Sequence, residues 1–273
     1  MRAPEVLVFG LDHPEGVCWD PERGCVWAGG EAGQVYRVDL EERTFAEVAQ
    51  APGFVLGLAL DGRGRLVLCC QEAGVHAWDG ERFTPIATDL TFANYPAFGP
   101  DGTLYVSDSG TWRRDDGRVL RLAADGGVET LTDERPCFTN GLAVSPDGDY
   151  LWLVESAEPR VSRLELATGR CETIARIDGA VLDGLAFTDD GGLLVSSYRP
   201  DRIYRLATDG TLEIVADDPQ GTILSAPTNV CFVGPELDRA VAANLGRWHL
   251  TLLELDLRGA PLHRPERWAL DAA

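Results

Sequence analysis

Short apolar runs separated by turns rich in Asp, Pro and Gly fill the sequence, and no long segment carries the 3.6-residue period of an amphipathic helix. Six segments open in a related way, as a leading residue, commonly Gly, then an apolar residue: Glu15-Gly16-Val17, Leu56-Gly57-Leu58, Asn94-Tyr95-Pro96, Asn140-Gly141-Leu142, Asp183-Gly184-Leu185 and Asn229-Val230-Cys231. Each leads into a short strand, and the turns that follow include Asp20-Pro21-Glu22-Arg23-Gly24, Asp61-Gly62-Arg63-Gly64, Pro100-Asp101-Gly102, Pro146-Asp147-Gly148 and Asp189-Asp190-Gly191-Gly192. Asp and Gly tolerate positive φ and Pro presets the turn, so these are hairpin signals leading to a second strand. A third strand with alternating apolar positions follows at Gln34–Val38, Gly74–Trp78, Arg118–Leu122, Arg160–Leu164, Arg202–Leu206 and His249–Leu253, and often a fourth, as in Leu212–Val215.

The leading residues recur every 38 to 46 positions, the length that four antiparallel strands and their loops occupy in one propeller blade. The pattern predicts an all-β protein, a six-bladed β-propeller of four-stranded blades, with residues 1–273 as a single domain. Two stacked β-sandwiches account for the repeat less well. The apolar run Glu5–Phe9 is expected to join the last blade and remove an exposed sheet edge.

In a propeller the innermost strand of each blade runs along the central channel, so the leading residues Glu15, Leu56, Asn94, Asn140, Asp183 and Asn229 should meet at one depth on the axis. The ends of the second strands, Gly30, Cys70, Asp108, Glu155, Ser197 and Asn244, form a wider shell at the same mouth. Glu15, Asn94, Asn140 and Asp183 place two carboxylates and two amide carbonyls around one point, a donor set suited to a hard cation such as Ca²⁺. Mg²⁺, Mn²⁺ and Zn²⁺ accept oxygen ligands too. Taken one at a time, Asn and Asp at strand starts also serve as turn caps, and the cation reading rests on their equivalence in the repeat.

Charge narrows the partners. With 44 acidic and 24 basic residues the net charge is −20, which disfavours nucleic acid and anionic membrane surfaces and suits a cation or a neutral small molecule. High negative charge also serves solubility alone. The chain has no lysine, which excludes Schiff-base chemistry and a P-loop lysine. Seven scattered cysteines lack zinc spacing and read as reduced core residues of a cytoplasmic protein. No signal-peptide h-region and no membrane-length apolar stretch is found, and a monomer or small homo-oligomer is expected.

The segments Glu15-Gly16-Val17-Cys18-Trp19-Asp20, Thr139-Asn140-Gly141-Leu142-Ala143-Val144-Ser145-Pro146-Asp147-Gly148, Leu182-Asp183-Gly184-Leu185-Ala186 and Pro227-Thr228-Asn229-Val230-Cys231-Phe232 resemble the family of senescence marker protein (regucalcin), gluconolactonase and luciferin-regenerating enzyme. That resemblance spans nearly the whole length. It implies six blades and one central divalent cation, with Glu15, Asn140 and Asp183 matching the metal ligands and Asn94 matching a further Asn at metal and substrate. Family lactonases acting on sugar acids commonly carry Arg two residues before that Asn and Asp directly after it. Here those places hold Phe92 and Tyr95, so a substrate less polar than an aldonolactone is expected, with Phe54, Phe138, Trp112 and Tyr198 adding to an apolar mouth.

The expected activity is metal-dependent hydrolysis of a lactone or related cyclic ester, with Asp183 as the base that takes the proton from water. Asn229 is a candidate substrate or water contact. His13, two residues before Glu15, is either a proton shuttle or substrate contact, or a loop residue before Pro14. Ser107, Ser109 and Ser197 lack a placed His and acid partner, so a serine triad is not expected. Asp108 and Glu155 either orient the ring or serve neighbouring strands. The rival readings are a strictosidine-synthase-like or other non-hydrolytic enzyme on the same scaffold, and a non-catalytic calcium-binding protein.

Overall fold

The computed structural model describes residues 3–123, 127–132 and 137–271. The N-terminal strand β1 (Glu5–Phe9) precedes blade 1, which is β2 (Val17–Asp20), β3 (Cys25–Gly29), β4 (Gln34–Asp39) and β5 (Thr44–Gln50). Blade 2 is β6 (Val55–Leu60), β7 (Leu66–Cys70), β8 (Gly74–Trp78) and β9 (Phe83–Ala87), and blade 3 is β10 (Ala93–Phe98), β11 (Leu104–Asp108), β12 (Arg118–Leu122) and β13 (Val128–Thr132). Blade 4 is β14 (Thr139–Val144), β15 (Tyr150–Glu155), β16 (Arg160–Glu165) and β17 (Cys171–Arg176), and blade 5 is β18 (Val181–Phe187), β19 (Leu193–Arg199), β20 (Arg202–Leu206) and β21 (Leu212–Asp217). Blade 6 contains β22 (Pro227–Val233), β23 (Arg239–Asn244) and β24 (His249–Glu254), and β1 supplies its fourth strand by pairing antiparallel with β24. The ring is therefore closed by joining the two ends of the chain, as the Glu5–Phe9 run predicts.

The six-fold sequence pattern has a local structural cause. In β6, β10, β14, β18 and β22 the antiparallel ladder slips by one residue, and the leading residue is the first of the bulged pair except in β22, where Thr228 holds that place and Asn229 stands where four other blades have glycine; in β14, for example, Thr139 pairs with Glu155 and the next pair is Leu142 with Leu153. Two residues then face one, a β-bulge that turns a side chain out of the strand's alternation. Glu15 and Gly16 do the same outside β2, flanking Gly29 through Glu15 N–H to Gly29 O and Gly29 N–H to Gly16 O.

The glycine after the leading residue lets neighbouring blades touch. A Cβ on Gly57 would lie 2.7 Å from Asn94 O, one on Gly141 2.5 Å from Asp183 O, and one on Gly184 2.9 Å from Asn229 Cα; one on Gly16 would collide with Leu56 O. In each case the obstacle is the backbone of the next blade's leading residue or the one beside it. Hydroxyl groups stitch the same seams: Ser107 Oγ donates to Asn140 O at 2.7 Å and Thr228 Oγ1 to Glu15 O at 2.7 Å, while Ser196 Oγ donates to Thr228 O.

Apolar clusters lie between consecutive blades, so each blade contributes both faces to the core. All seven cysteines are free and five are buried. Among the described residues the only helix is the short 3-10 turn Ala269–Asp271, and no helix is long and apolar enough to cross a membrane. A methyl group at Gly141 should overpack the seam between blades 4 and 5. Gly141→Ala is expected to cost about 1–3 kcal/mol, read as a lower midpoint in denaturant unfolding at unchanged m-value; unaltered stability would contradict the tight seam.

Candidate metal centre and its mouth

The six leading residues are all buried: Glu15, Leu56, Asn94, Asn140, Asp183 and Asn229 are no more than 6% exposed. Asn94 Nδ2 donates to Ser109 Oγ at 2.9 Å and Asn140 Nδ2 to Ser156 Oγ at 3.2 Å. These serines are themselves fixed, since each donates onward at 2.5 Å, Ser109 to Thr139 O and Ser156 to Leu182 O of the next blade. Each serine accepts from its asparagine's amide nitrogen, and the carbonyl oxygens remain. Asn94 Oδ1, Asn140 Oδ1, Asp183 Oδ1 and Asn229 Oδ1 are all buried without a hydrogen-bond partner. Asn229 Nδ2 donates to Glu15 Oε2 at 3.2 Å, so Asn229 orients a carboxylate of the ring.

Among the described residues six carboxylates are buried, and their surroundings divide them. Asp20, Asp61, Asp108 and Glu155 are each paired with an arginine, respectively Arg23, Arg65, Arg118 and Arg160. Among the described residues Glu15 and Asp183 have no such partner. Burial pushes the Glu15 carboxyl well above its ordinary range, with the charge of Asp183 adding to the effect. Burial raises Asp183 to about 7, against an opposing hydrogen bond from Asn140. Two buried carboxyls that repel one another need a proton or a cation to be stable. Unpartnered buried oxygens and this uncompensated charge fit a hard divalent cation held by Glu15, Asn94, Asn140 and Asp183, while Leu56 supplies no oxygen.

Asp108 and Glu155 do not belong to the donor set. Asp108 accepts Phe92 N–H at 2.7 Å, Thr91 N–H at 3.2 Å and Arg118 Nε–H at 3.1 Å, so it fixes the segment leading into Asn94. Glu155 is engaged by both Nε and Nη2 of Arg160. The serine that follows each of them, Ser109 or Ser156, orients an axial Asn. Ser156 is a functional residue that sequence reasoning missed. Its signal was available, because an acid-Ser pair stands at the same place in blades 3 and 4.

The residues two positions before the leading ones are His13, Phe54, Phe92, Phe138, Val181 and Pro227, and all but the buried Pro227 are half-buried around the ring. Phe92 and Phe138 meet at 5.3 Å between ring centroids, and Trp112 lies 5.1 Å from Phe138. Trp112 and Trp248 are 43% and 45% exposed on loops of this same face. The collar is thus largely apolar, with His13 as its polar member. His13 Nδ1 lies 2.9 Å from Asp12 Oδ1 and 3.1 Å from Glu31 Oε2, and its ring tilts against Trp248 at 5.4 Å. Potential ligand atoms of Asp12, His13 and Glu31 lie within 4.8 Å of one another, but this group is open to solvent. The Asp12 carboxylate is also committed to Ala32 N–H and the Gln34 amide.

Tyr95 does not share a wall with Phe92. It stands where four other blades have glycine, and it is 8% exposed. Burial raises its hydroxyl pKa, and Cys18, Cys231, Glu15 and Asp183 of blades 1, 5 and 6 add to the shift. Its side chain lies inside the channel, packed with residues of blades 3 and 4, and lines a cavity there.

Residues 13–243 match the profile of the SMP-30/gluconolactonase/LRE-like region. The chain belongs to this family. It is 24% identical over 213 residues to "Lactonase drp35" of Staphylococcus haemolyticus, a match covering 69% of this chain and 64% of that protein's length. Among solved structures it resembles a calcium-binding protein, regucalcin, of Agrobacterium tumefaciens, with a TM-score of 0.81 at 20% identity over 96% of this chain and 97% of the other. It also resembles a gluconolactonase of Xanthomonas campestris, with a TM-score of 0.79 at 20% identity over 92% and 89%. At these identities the structural likeness speaks to the family's propeller alone.

The carboxyl pair makes a family-type ring testable through stability. A carboxyl raised from 3.8 to about 7 in the folded state keeps its stabilising proton at low pH and loses it as pH rises through about 7. With divalent ions chelated, the thermal midpoint should fall between pH 4 and pH 8 more steeply for the unaltered protein than for Asp183→Asn. Ca²⁺ should restore the unaltered protein at pH 8 by several degrees. Identical slopes and no response to Ca²⁺ would contradict the ring's electrostatics.

Proposed function

We propose that this protein is a divalent-cation-dependent hydrolase of lactones or related cyclic esters whose substrates are less polar than sugar lactones. The observation that carries the proposal is the pair Glu15 and Asp183, buried without an arginine beside three buried amide oxygens that, like Asp183 Oδ1, lack hydrogen-bond partners. Membership of a family that includes gluconolactonase, and similarity to a lactonase of Staphylococcus haemolyticus, support the reaction class.

Glu15, Asn94, Asn140 and Asp183 would hold the cation, most simply Ca²⁺. When bound, such an ion polarises an ester carbonyl and makes an adjacent water more acidic. The chain's own residues supply the rest. Asp183 presents an unpartnered Oδ1 and has a basicity near neutrality in the absence of a cation, so it is the group placed to take a proton from the attacking water. Asn229 keeps Glu15 in place through its amide. Ser109 and Ser156 fix the axial amides by accepting from their nitrogens. Phe92, Phe138 and Trp112 form an apolar wall that orients the body of the substrate and excludes water from that side.

A panel of lactones graded from glucono-lactone to alkyl-substituted rings tests both parts. The alkyl lactones should show the higher kcat/KM, and Phe92→Ala should lower it for them by about 10- to 100-fold, the worth of burying one aromatic side chain. Asp183→Asn should lower kcat by about 10²- to 10⁴-fold in protein that still binds cation. A preference for glucono-lactone would refute the apolar wall, and full turnover by Asp183→Asn would remove the proposed base. Stoichiometric cation binding without turnover of any lactone would leave a cation-binding protein in place of an enzyme.

A further inference from the structure

Beneath the ring the channel widens into a second chamber of about 340 Å³, which opens toward the opposite face of the propeller. None of the six leading residues lines it. Its walls come from the same inner strands further along: the second residue after each bulge is Cys18, Ala59, Ala97, Ala143, Ala186 or Cys231, all six small. Small side chains at the axis leave the space, and Tyr95 lies between it and the ring.

The chain after β24 crosses the far mouth as a strap. Ala260 N–H donates to Phe187 O at 3.0 Å, His263 Nε2 lies 2.9 Å from Ser145 O, Arg264 Nη2 donates to Glu22 Oε1 at 2.6 Å, and Gly62 N–H donates to Pro265 O at 2.9 Å. Trp268 anchors it, with Nε1–H donating to Asp61 Oδ2 at 2.8 Å and the ring 5.2 Å from Phe98. These contacts reach blades 5, 4, 1, 2 and 3 in succession.

The chemistry of this chamber is the reverse of the ring's. In a chain of net charge −20, no Asp or Glu among the described residues lines it, while His263 and Arg264 do. Two polar atoms of its lining residues are buried without partners, Trp19 Nε1 and Arg264 Nη1, and both can only donate. They lie in the same sector, since Arg264 is bound to the blade 1 turn and its charge acts on Cys18, next to Trp19. Buried donors without acceptors favour a ligand that brings an acceptor, and a guanidinium favours a carboxylate.

We propose that the chamber is a second small-molecule site, separate from the metal centre, for a monocarboxylate with an apolar body. At about 30 Å³ per water-sized unit, its volume suits roughly ten non-hydrogen atoms, and it falls within the range of small-molecule pockets. The carboxylate takes Trp19 Nε1–H and Arg264 Nη1–H, and the alkyl body lies along Ala143, Ala186 and Leu185.

Calorimetric titration of the full chain with octanoate, with Ca²⁺ present, tests this site. One molecule should bind per chain, and octanol should bind at least tenfold more weakly. Arg264→Gln should weaken octanoate at least tenfold, Ala186→Leu should abolish binding by filling the chamber, and Phe92→Ala at the other mouth should leave it unchanged. Thermal midpoints of the variants verify folding, and Glu22→Gln, which removes the arginine's partner without touching the chamber, should retain binding. Absence of saturable binding, equal affinity for octanol, loss through Phe92→Ala, or insensitivity to both chamber variants would overturn the proposal. None of these outcomes depends on whether the ring hydrolyses a lactone.

Discussion

The structure depends on bringing two carboxylates together on the propeller axis without a positive side chain. Elsewhere the protein compensates its buried acids in one way, by an arginine from a neighbouring strand or turn, as at Asp108 with Arg118 and Glu155 with Arg160. At the axis, among the described residues, no arginine stands beside Glu15 and Asp183, and there Gly16, Gly57, Gly141 and Gly184 let the backbones of neighbouring blades meet. That approach gathers the side chains of Glu15, Asn94, Asn140 and Asp183 in the buried mouth of the channel, a donor set that suits one small cation. Ring geometry and charge are therefore consequences of the blade seams.

Much of this was legible in the chain. The leading residues, the Asp-Gly turns, the third strands and the closing run Glu5–Phe9 each correspond to a periodic signal, and repetition made the equivalence of Glu15, Asn140 and Asp183 visible. The aromatic members Phe54, Phe92 and Phe138 were visible singly; their common offset from the leading residues becomes meaningful only once those residues form a ring. Tyr95 was not legible. A residue in a β-bulge leaves the strand's alternation, so Phe92 faces the collar while Tyr95, three residues on, lines the channel's cavity. Ser109 and Ser156 left one trace in the sequence, the acid-Ser pair repeated in blades 3 and 4, but their role of holding an amide shows only in the hydrogen bonds.

The channel has two ends of opposite character. One is a ring of oxygen ligands under an apolar aromatic collar, where affinity for a cation and for an apolar body would meet. The other is an acid-free chamber beneath Tyr95, held by a C-terminal strap whose interactions with five blades follow no repeat. The same inner strands create both, with polar bulged residues at one depth and small residues three positions further on.

Anomalous scattering from crystals soaked in Mn²⁺ tests the central claim most directly. The account predicts one strong peak per chain on the axis, within coordinating distance of Glu15, Asn94, Asn140 and Asp183, and its loss in Glu15→Gln combined with Asp183→Asn. An empty ring, or a peak confined to Asp12, His13 and Glu31 at the edge of the mouth, would contradict it.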